Sequence, residues 1–183
     1  NKGVTLVDPT QIITCTNEFG FGQVVMEVSK EKATKYLAHL KQINICPGFI
    51  AKTLDGDFTT LGRGGSDYTA ALFANFYKAS ALEIWSDVSG LMTADPRLVT
   101  AARVIPHLSY EDALELSHFG ARVIYPPTIQ PALEQNIPII IKNTFKLTDL
   151  GTKITSSWED NSTIKGISSI DEICLLNLSG SGM

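Results

Sequence analysis

The run Thr60-Leu61-Gly62-Arg63-Gly64-Gly65-Ser66-Asp67-Tyr68-Thr69-Ala70-Ala71 concentrates the residue types in this chain best suited to chemistry. Three glycines within four positions allow a sharp turn and a close approach of backbone to a ligand. An alanine-rich apolar stretch follows at once, so Ser66 is predicted to cap a helix whose free N–H groups face the turn. Arg63 can hold a carboxylate or a phosphate through two parallel hydrogen bonds. Asp67, about one turn into that helix, can take an ammonium group. Such a loop suits a zwitterion or a phosphate; the plainer alternative is a tight strand–helix junction with two solvated charges. It is not a P-loop, which requires GxxxxGK[ST], nor a dinucleotide fingerprint, which would need glycine at position 67.

Other candidates stand further along. Ser86-Asp87 closes a short apolar stretch, and Asp87 could hold a ribose hydroxyl or an adenine amino group, or simply cap a turn. Asp95-Pro96-Arg97 offers a cation to phosphates, or a type I turn with a solvated arginine. Arg122 follows Gly120 where a helix should stop, a place where a surface ion pair is the common fate. His39, His107 and His118 show no metal-ligand spacing, and no Ser-His-Asp or Cys-His arrangement is suggested. Cys15, Cys46 and Cys174 are odd in number and lack CxxC spacing, which fits reduced thiols of a cytoplasmic protein.

The elements that must position these residues follow from periodicity and turn residues. Residues 23–28 are strand-like, and 29–41 form an amphipathic helix through Ala33, Tyr36, Leu37 and Leu40. Two strands over 45–51 and 58–61 meet at an Asp55-Gly56-Asp57 hairpin. A helix over 66–78 and an apolar strand over 81–85 come next, then an excursion loop over 89–107 with little regular structure. A helix from 109 to 119 ends at Gly120. Pro126-Pro127 opens another over 128–135, and 137–142 is an apolar strand. This alternation argues for an α/β fold with a mainly parallel sheet flanked by helices on both faces. Ligands of open parallel sheets gather beyond the carboxyl ends of strands, where both the glycine turn and Ser86-Asp87 fall. Residues 146–162 are polar and turn-rich and read as a linker. Residues 164–178 begin a second unit, with Cys174, Leu176 and Leu178 alternating as in one strand.

A chain of 183 residues that is 44% hydrophobic can bury one core, or one domain and the edge of another. Its formal charge of -4 provides no field to gather nucleic acid or an anionic membrane surface, so small anions must be held by local geometry. No apolar run approaches the ~18 residues of a membrane span. The chain opens at Asn1 and stops at Gly180-Ser181-Gly182-Met183 just after an apolar stretch, so it is expected to be a segment of a longer polypeptide.

From about Ile45 onward the chain resembles the aspartate kinases of the amino-acid kinase superfamily. The residues that carry the likeness are the glycine run 60–68, Glu83-Ile84-Trp85-Ser86-Asp87-Val88-Ser89-Gly90 and Thr93-Ala94-Asp95-Pro96-Arg97. Leu108 to Ser117, Phe119-Gly120-Ala121-Arg122-Val123 and Ile140-Ile141-Lys142-Asn143-Thr144 continue it in order. Lys165-Gly166-Ile167-Ser168 and residues 177–183 resemble the start of a regulatory ACT region. With Leu116-Ser117-His118-Phe119-Gly120, they lean toward the bifunctional aspartokinase–homoserine dehydrogenases.

The resemblance implies an amino-acid kinase unit over 1–145, a linker over 146–163 and the start of an ACT region over 164–183. It implies phosphorylation of the L-aspartate side-chain carboxylate by ATP with Mg2+, in a cytoplasmic homo-oligomer. Arg63 would hold the α-carboxylate and Asp67 the α-ammonium group, in a pocket shaped by Phe49, Gly64, Gly65 and Ser66. Ser86, Asp87 and Met92 would face the nucleotide, with Arg97 on its phosphates and Arg122 and Val123 beside it. Two positions depart from the family pattern. Met92 stands where tyrosine is common, and Arg122 stands where lysine is usual. The family's Lys-Phe-Gly-Gly stretch, whose lysine bridges the reacting phosphates, does not occur, so the chain is expected to be inactive alone. The competing expectations are a glutamate, acetylglutamate or uridylate kinase, and a non-catalytic nucleotide-binding or regulatory fragment.

Overall fold

The computed structural model describes residues 3–118, 123–158, 164–170 and 174. Strands β1 (Val4–Leu6) and β2 (Thr14–Cys15) lead into helix α1 (Met26–Tyr36), followed by β3 (Ile43–Ile45), β4 (Ile50–Thr53) and β5 (Phe58–Thr60). Helix α2 (Gly65–Tyr77) and strand β6 (Leu82–Ser86) come next, then β7 (His107–Ser109), α3 (Tyr110–His118), α4 (Pro126–Glu134), β8 (Ile139–Asn143) and β9 (Thr152–Thr155).

The strands pair into a two-stranded parallel sheet β1-β3, a three-stranded sheet β2-β4-β5 and a four-stranded sheet β6-β8-β9-β7. β2 and β4, β6 and β8, and β7 and β9 run parallel, whereas β4–β5 and β8–β9 are antiparallel. The main core lies against the four-stranded sheet, where Ile84, Ile139, Ile141 and Ile154 meet Ala71 and Ala74 of α2 and Ile129 and Ala132 of α4. Burial alternates along β6, with Leu82 and Ile84 covered and Glu83 and Trp85 exposed. The exposed side of that pair carries a Lys142–Glu83 contact and Lys142 over the Trp85 ring.

The hairpin through Gly56 forms as predicted, and the helices fall within a few residues of their predicted places. Four differences are physical. Residues 45–51 do not form one strand: Pro47 and Gly48 interrupt them, so Ile45 pairs with Leu6 while Ile50 pairs with Thr60. Of the strand expected over 23–28 only a Cys15–Val24 bridge remains, and α1 already starts at Met26. There the buried Ser29 hydroxyl accepts from Thr14 N (3.0 Å) and donates to Thr14 O (3.3 Å), which ties the helix to β2. The excursion over 89–107 is stitched by a Met92–Val104 bridge. Finally, the stretch read as a linker contains β9, which lies between β8 and β7 with Thr152 and Ile154 fully buried. Within the stretch expected to open a second unit, the strand reading at Cys174, Leu176 and Leu178 falls largely outside the described residues.

Candidate functional site

The glycine turn joins β5 to α2. Gly62 (φ 71°) and Gly64 (φ 66°) both adopt left-handed backbone, which only glycine takes without cost. Gly64 is itself the N-cap of α2, with ψ 13° and no side-chain capping bond. Ser66 is therefore not the cap: the cap lies two residues earlier because the left-handed Gly64 closes the turn first. Asp67 is accordingly the third helical residue, at the end of the first turn, rather than the first residue after the cap. Gly65 N donates to Gly62 O and Tyr68 N to Gly64 O, whereas the amides of Ser66 and Asp67 donate to no backbone acceptor among the described residues.

These residues enclose an open concavity of about 530 Å³ lined by Gly20, Phe49, Thr60 and residues 62–67. All six residues expected at the amino-acid pocket, Phe49, Arg63, Gly64, Gly65, Ser66 and Asp67, line it. Phe49 holds left-handed backbone (φ 78°), unusual for a side-chain-bearing residue. The strain is held by tertiary bonds. Phe49 N donates to Thr69 Oγ1 (3.0 Å), Leu61 N donates to Phe49 O (2.9 Å), and Thr69 Oγ1 donates to Gly65 O (2.7 Å). Gly20 was given no role from the sequence, nor were Thr60 and Thr69, although both stand in the glycine run. The glycines at 20 and 22 were a usable signal for the first, but nothing in the local sequence marks Thr69.

The Arg63 and Asp67 side chains form neither an ion pair nor a hydrogen bond with any described residue, although they share one concavity. Burial raises the Asp67 carboxyl above its ordinary 3.8. An unpaired cation and an unpaired, partly desolvated carboxylate on one wall are suited to a ligand that carries both charges.

The second group is arranged around the end of β6. Ser86 O accepts from Thr144 N (2.8 Å), and Asp87 lies exposed just beyond the strand. Buried Asn143 shapes this loop, its Nδ2 donating to Asp87 O (3.1 Å) and to Ser89 Oγ (3.0 Å). Ser89 in turn donates to Asp149 (2.6 Å). The sequence reading assigned Asn143 and Asp149 no role, because their partners are far away in the chain. Met92 is half-buried on its bridge. Arg97 lies in a turn around Asp95, with Nη2 at 2.6 Å and Nε at 3.0 Å from that carboxylate. These bonds hold the Asp95 carboxyl below its ordinary value, with the Arg97 side-chain bond the largest cause. Val123 is half-buried against the main core, and Arg122 lies outside the described residues. No three His, Cys, Asp or Glu side chains cluster as a metal site among the described residues. Nor is any described helix long and apolar enough to cross a membrane.

The fold and this turn define the class. The family model for the amino acid kinase family matches residues 5–143, and the chain belongs to that family. Among individual relatives, the bifunctional aspartokinase/homoserine dehydrogenase of Haemophilus influenzae is 41% identical over 181 residues, 98% of this chain and 22% of that protein. The lysine-sensitive aspartokinase 3 of Escherichia coli is 36% identical over 155 residues, 84% of this chain and 34% of that protein. The crystal structure of E. coli aspartokinase III in complex with aspartate and ADP superposes with a TM-score of 0.82 at 35% identity, over 87% of this chain and 36% of that one. The chain thus spans well under half the length of each of these relatives.

Proposed function

We propose that this chain carries the amino-acid and nucleotide contacts of an aspartate kinase, which transfers the γ-phosphoryl group of ATP to the side-chain carboxylate of L-aspartate. The carrying observation is the Arg63–Asp67 pair, opposite charges that line one concavity without neutralising each other. In this assignment the Arg63 guanidinium takes the α-carboxylate and the Asp67 carboxylate takes the α-ammonium group. That leaves the side-chain carboxylate directed away from the turn. One of its oxygens attacks the γ-phosphorus; the new P–O bond forms as the bond to the β,γ-bridging oxygen breaks, and ADP leaves with those electrons. Two anions must be held in line for this, so positioning and charge neutralisation account for most of the catalysis. The open amides of Ser66 and Asp67 add positive potential at the start of α2.

Ser86, Asp87 and Met92 are assigned to the base and ribose side of the nucleotide, Arg97 to its phosphates, and Arg122 and Val123 to the facing segment. Arg97 would exchange Asp95 for phosphate oxygens. The metal of MgATP supplies charge neutralisation at the phosphates. The described side chains do not form a site for it by themselves, and none is assigned to it. In the same assignment the product, 4-phospho-L-aspartate, leads toward lysine, threonine, methionine and isoleucine. The enzyme works in the cytoplasm as a homo-oligomer, residues 1–145 belong to the kinase unit, and 164–183 open an ACT region.

Calorimetric titration tests the assignment directly. L-Aspartate should bind in preference to L-glutamate and UMP, and Arg63→Ala should weaken it about 10- to 100-fold, the worth of a charge-assisted hydrogen-bond pair. Equal affinity in Arg63→Ala, or tighter binding of glutamate or UMP, would remove aspartate from this turn.

A further inference from the structure

The glycine turn is held from outside the concavity by one aromatic residue, Tyr125. A Cβ built on Gly64 would collide with the Tyr125 side chain at Cγ and Cβ, and would stand 2.6 Å from Cδ1. The ring root therefore lies directly against the Gly64 backbone. Tyr125 does not line the concavity that Arg63 and Asp67 share.

Tyr125 is well placed to act as a fixed stop. It is the N-cap of α4, its carbonyl accepts from Thr128 N (2.9 Å), and Pro126 follows at the first helical position. Proline fixes the backbone torsion there, so the tyrosine leaves the helix in a set direction. Ile124, just before it, is 3% exposed and belongs to the main core. Helices α2 and α4 run in the same sense: their starts meet at Gly64 and Tyr125, and further along Asn75 Nδ2 donates to Pro131 O (2.8 Å). Ala71, Ala74, Ile129 and Ala132 fill the contact between them.

Arg63 lies between two glycines in left-handed backbone. Such a Gly–Arg–Gly segment has many accessible conformations, and only a few place the guanidinium correctly. We infer that Tyr125 is a positioning residue: its ring restricts the turn to the conformation in which Arg63 and Asp67 grip the amino-acid end of the substrate. This role rests on the assignment of the turn to aspartate. Tyr125 also lies two residues after Val123, assigned to the nucleotide side, so one short segment links the two halves of the site.

The experiment is steady-state kinetics on the full-length polypeptide, with Tyr125→Phe, Tyr125→Ala and Arg63→Ala compared. Tyr125→Phe keeps the ring and should remain within about twofold of the parent. Tyr125→Ala should raise the KM for aspartate about 10- to 100-fold, the range expected when a reactant is misplaced by about 1 Å, with the KM for ATP within about twofold of the parent. Amide exchange at 62–67 should rise in the same variant, with the strands of the main core unchanged. If Tyr125→Ala fails to fold, Tyr125→Leu, which keeps apolar bulk, should show the same aspartate-specific defect.

The positioning role is overturned if the alanine (or leucine) variant keeps the parental aspartate KM. It is also overturned if both KM values rise together, or if Tyr125→Phe is as impaired as Tyr125→Ala. Arg63→Ala separates the two ideas. If it leaves the aspartate KM unchanged, the aspartate assignment itself fails. If it raises that KM and Tyr125→Ala does not, only the role of Tyr125 fails.

Discussion

Asp67 ties the chemistry of the turn to pH. Burial raises its carboxyl above 3.8, so the ionised form is the costlier one in the ligand-free fold. Its contribution to stability is therefore fully present below the unfolded value and is lost as pH rises through the folded value. Two consequences oppose each other. Asp67→Asn should leave the ligand-free protein at neutral pH as stable as the parent or more so, by thermal melting. Aspartate binding needs the carboxylate, so affinity should fall as pH drops from about 7 toward 4, and the Asn variant should bind weakly throughout. A parental affinity independent of pH over that range would show that Asp67 does not meet the ammonium group. The types and order of these residues could be read from the sequence because a turn of this kind is local. The identity of the cap could not, since it depended on which glycine turned left-handed.

At the scale of elements, Thr152 at the start of β9 binds two segments. Its hydroxyl donates to Ile105 O (2.7 Å) and accepts from Leu91 N (2.9 Å), fastening both arms of the 91–105 excursion to the sheet. All three residues are buried. Thr152→Val keeps the shape but orphans a donor and an acceptor, and should cost about 1–3 kcal/mol in urea denaturation. Thr152→Ser should cost less, and the Leu91 amide should exchange faster only in the valine variant. An unchanged midpoint in Thr152→Val would mean that these bonds hold nothing. The hairpin at Gly56 and the helix after the glycine turn were legible because their signals span a few neighbouring residues. β9 was not legible: Thr152, Lys153, Ile154 and Thr155 lie in a polar stretch, and only long-range pairing with β8 and β7 makes them a strand. The valine-rich run at 24–28 has strand propensity, but the bonds from Ser29 to Thr14 hold helix there instead.

At the scale of the whole molecule, residues 164–170 are attached to the kinase fold at defined points. Lys165 pairs with Asp112 at 2.7 Å, Ile167 N donates to Thr93 O (2.9 Å), and Gly166 packs on Leu116. Burial alone would raise the Asp112 carboxyl. Hydrogen bonds from Lys165 and Ser109 and the charge of Lys165 more than offset it and leave the group below 3.8. The attachment is therefore stabilised above the unfolded value and weakens as pH falls through the folded one. Protection of the Ile167 amide should be lost at acid pH before the main core opens, and Lys165→Ala should reproduce that loss at neutral pH. Simultaneous loss of Ile167 and core protection would show that the ion pair is not a separate fastening.

The sequence by itself determined the chemistry on offer. The glycine turn, its arginine and aspartate, the strand end at Ser86-Asp87 and the succession of helices all follow from torsional freedom, charge and short-range periodicity. Tertiary structure decided how these parts bear on one another. It inserted β9 between β8 and β7, brought Asn143 under the Asp87 loop, left Arg63 and Asp67 unpaired on one wall and set Tyr125 against Gly64. The unpaired charges aside, these are contacts between residues well separated in the chain, fixed by strand pairing and core packing, which no local pattern encodes.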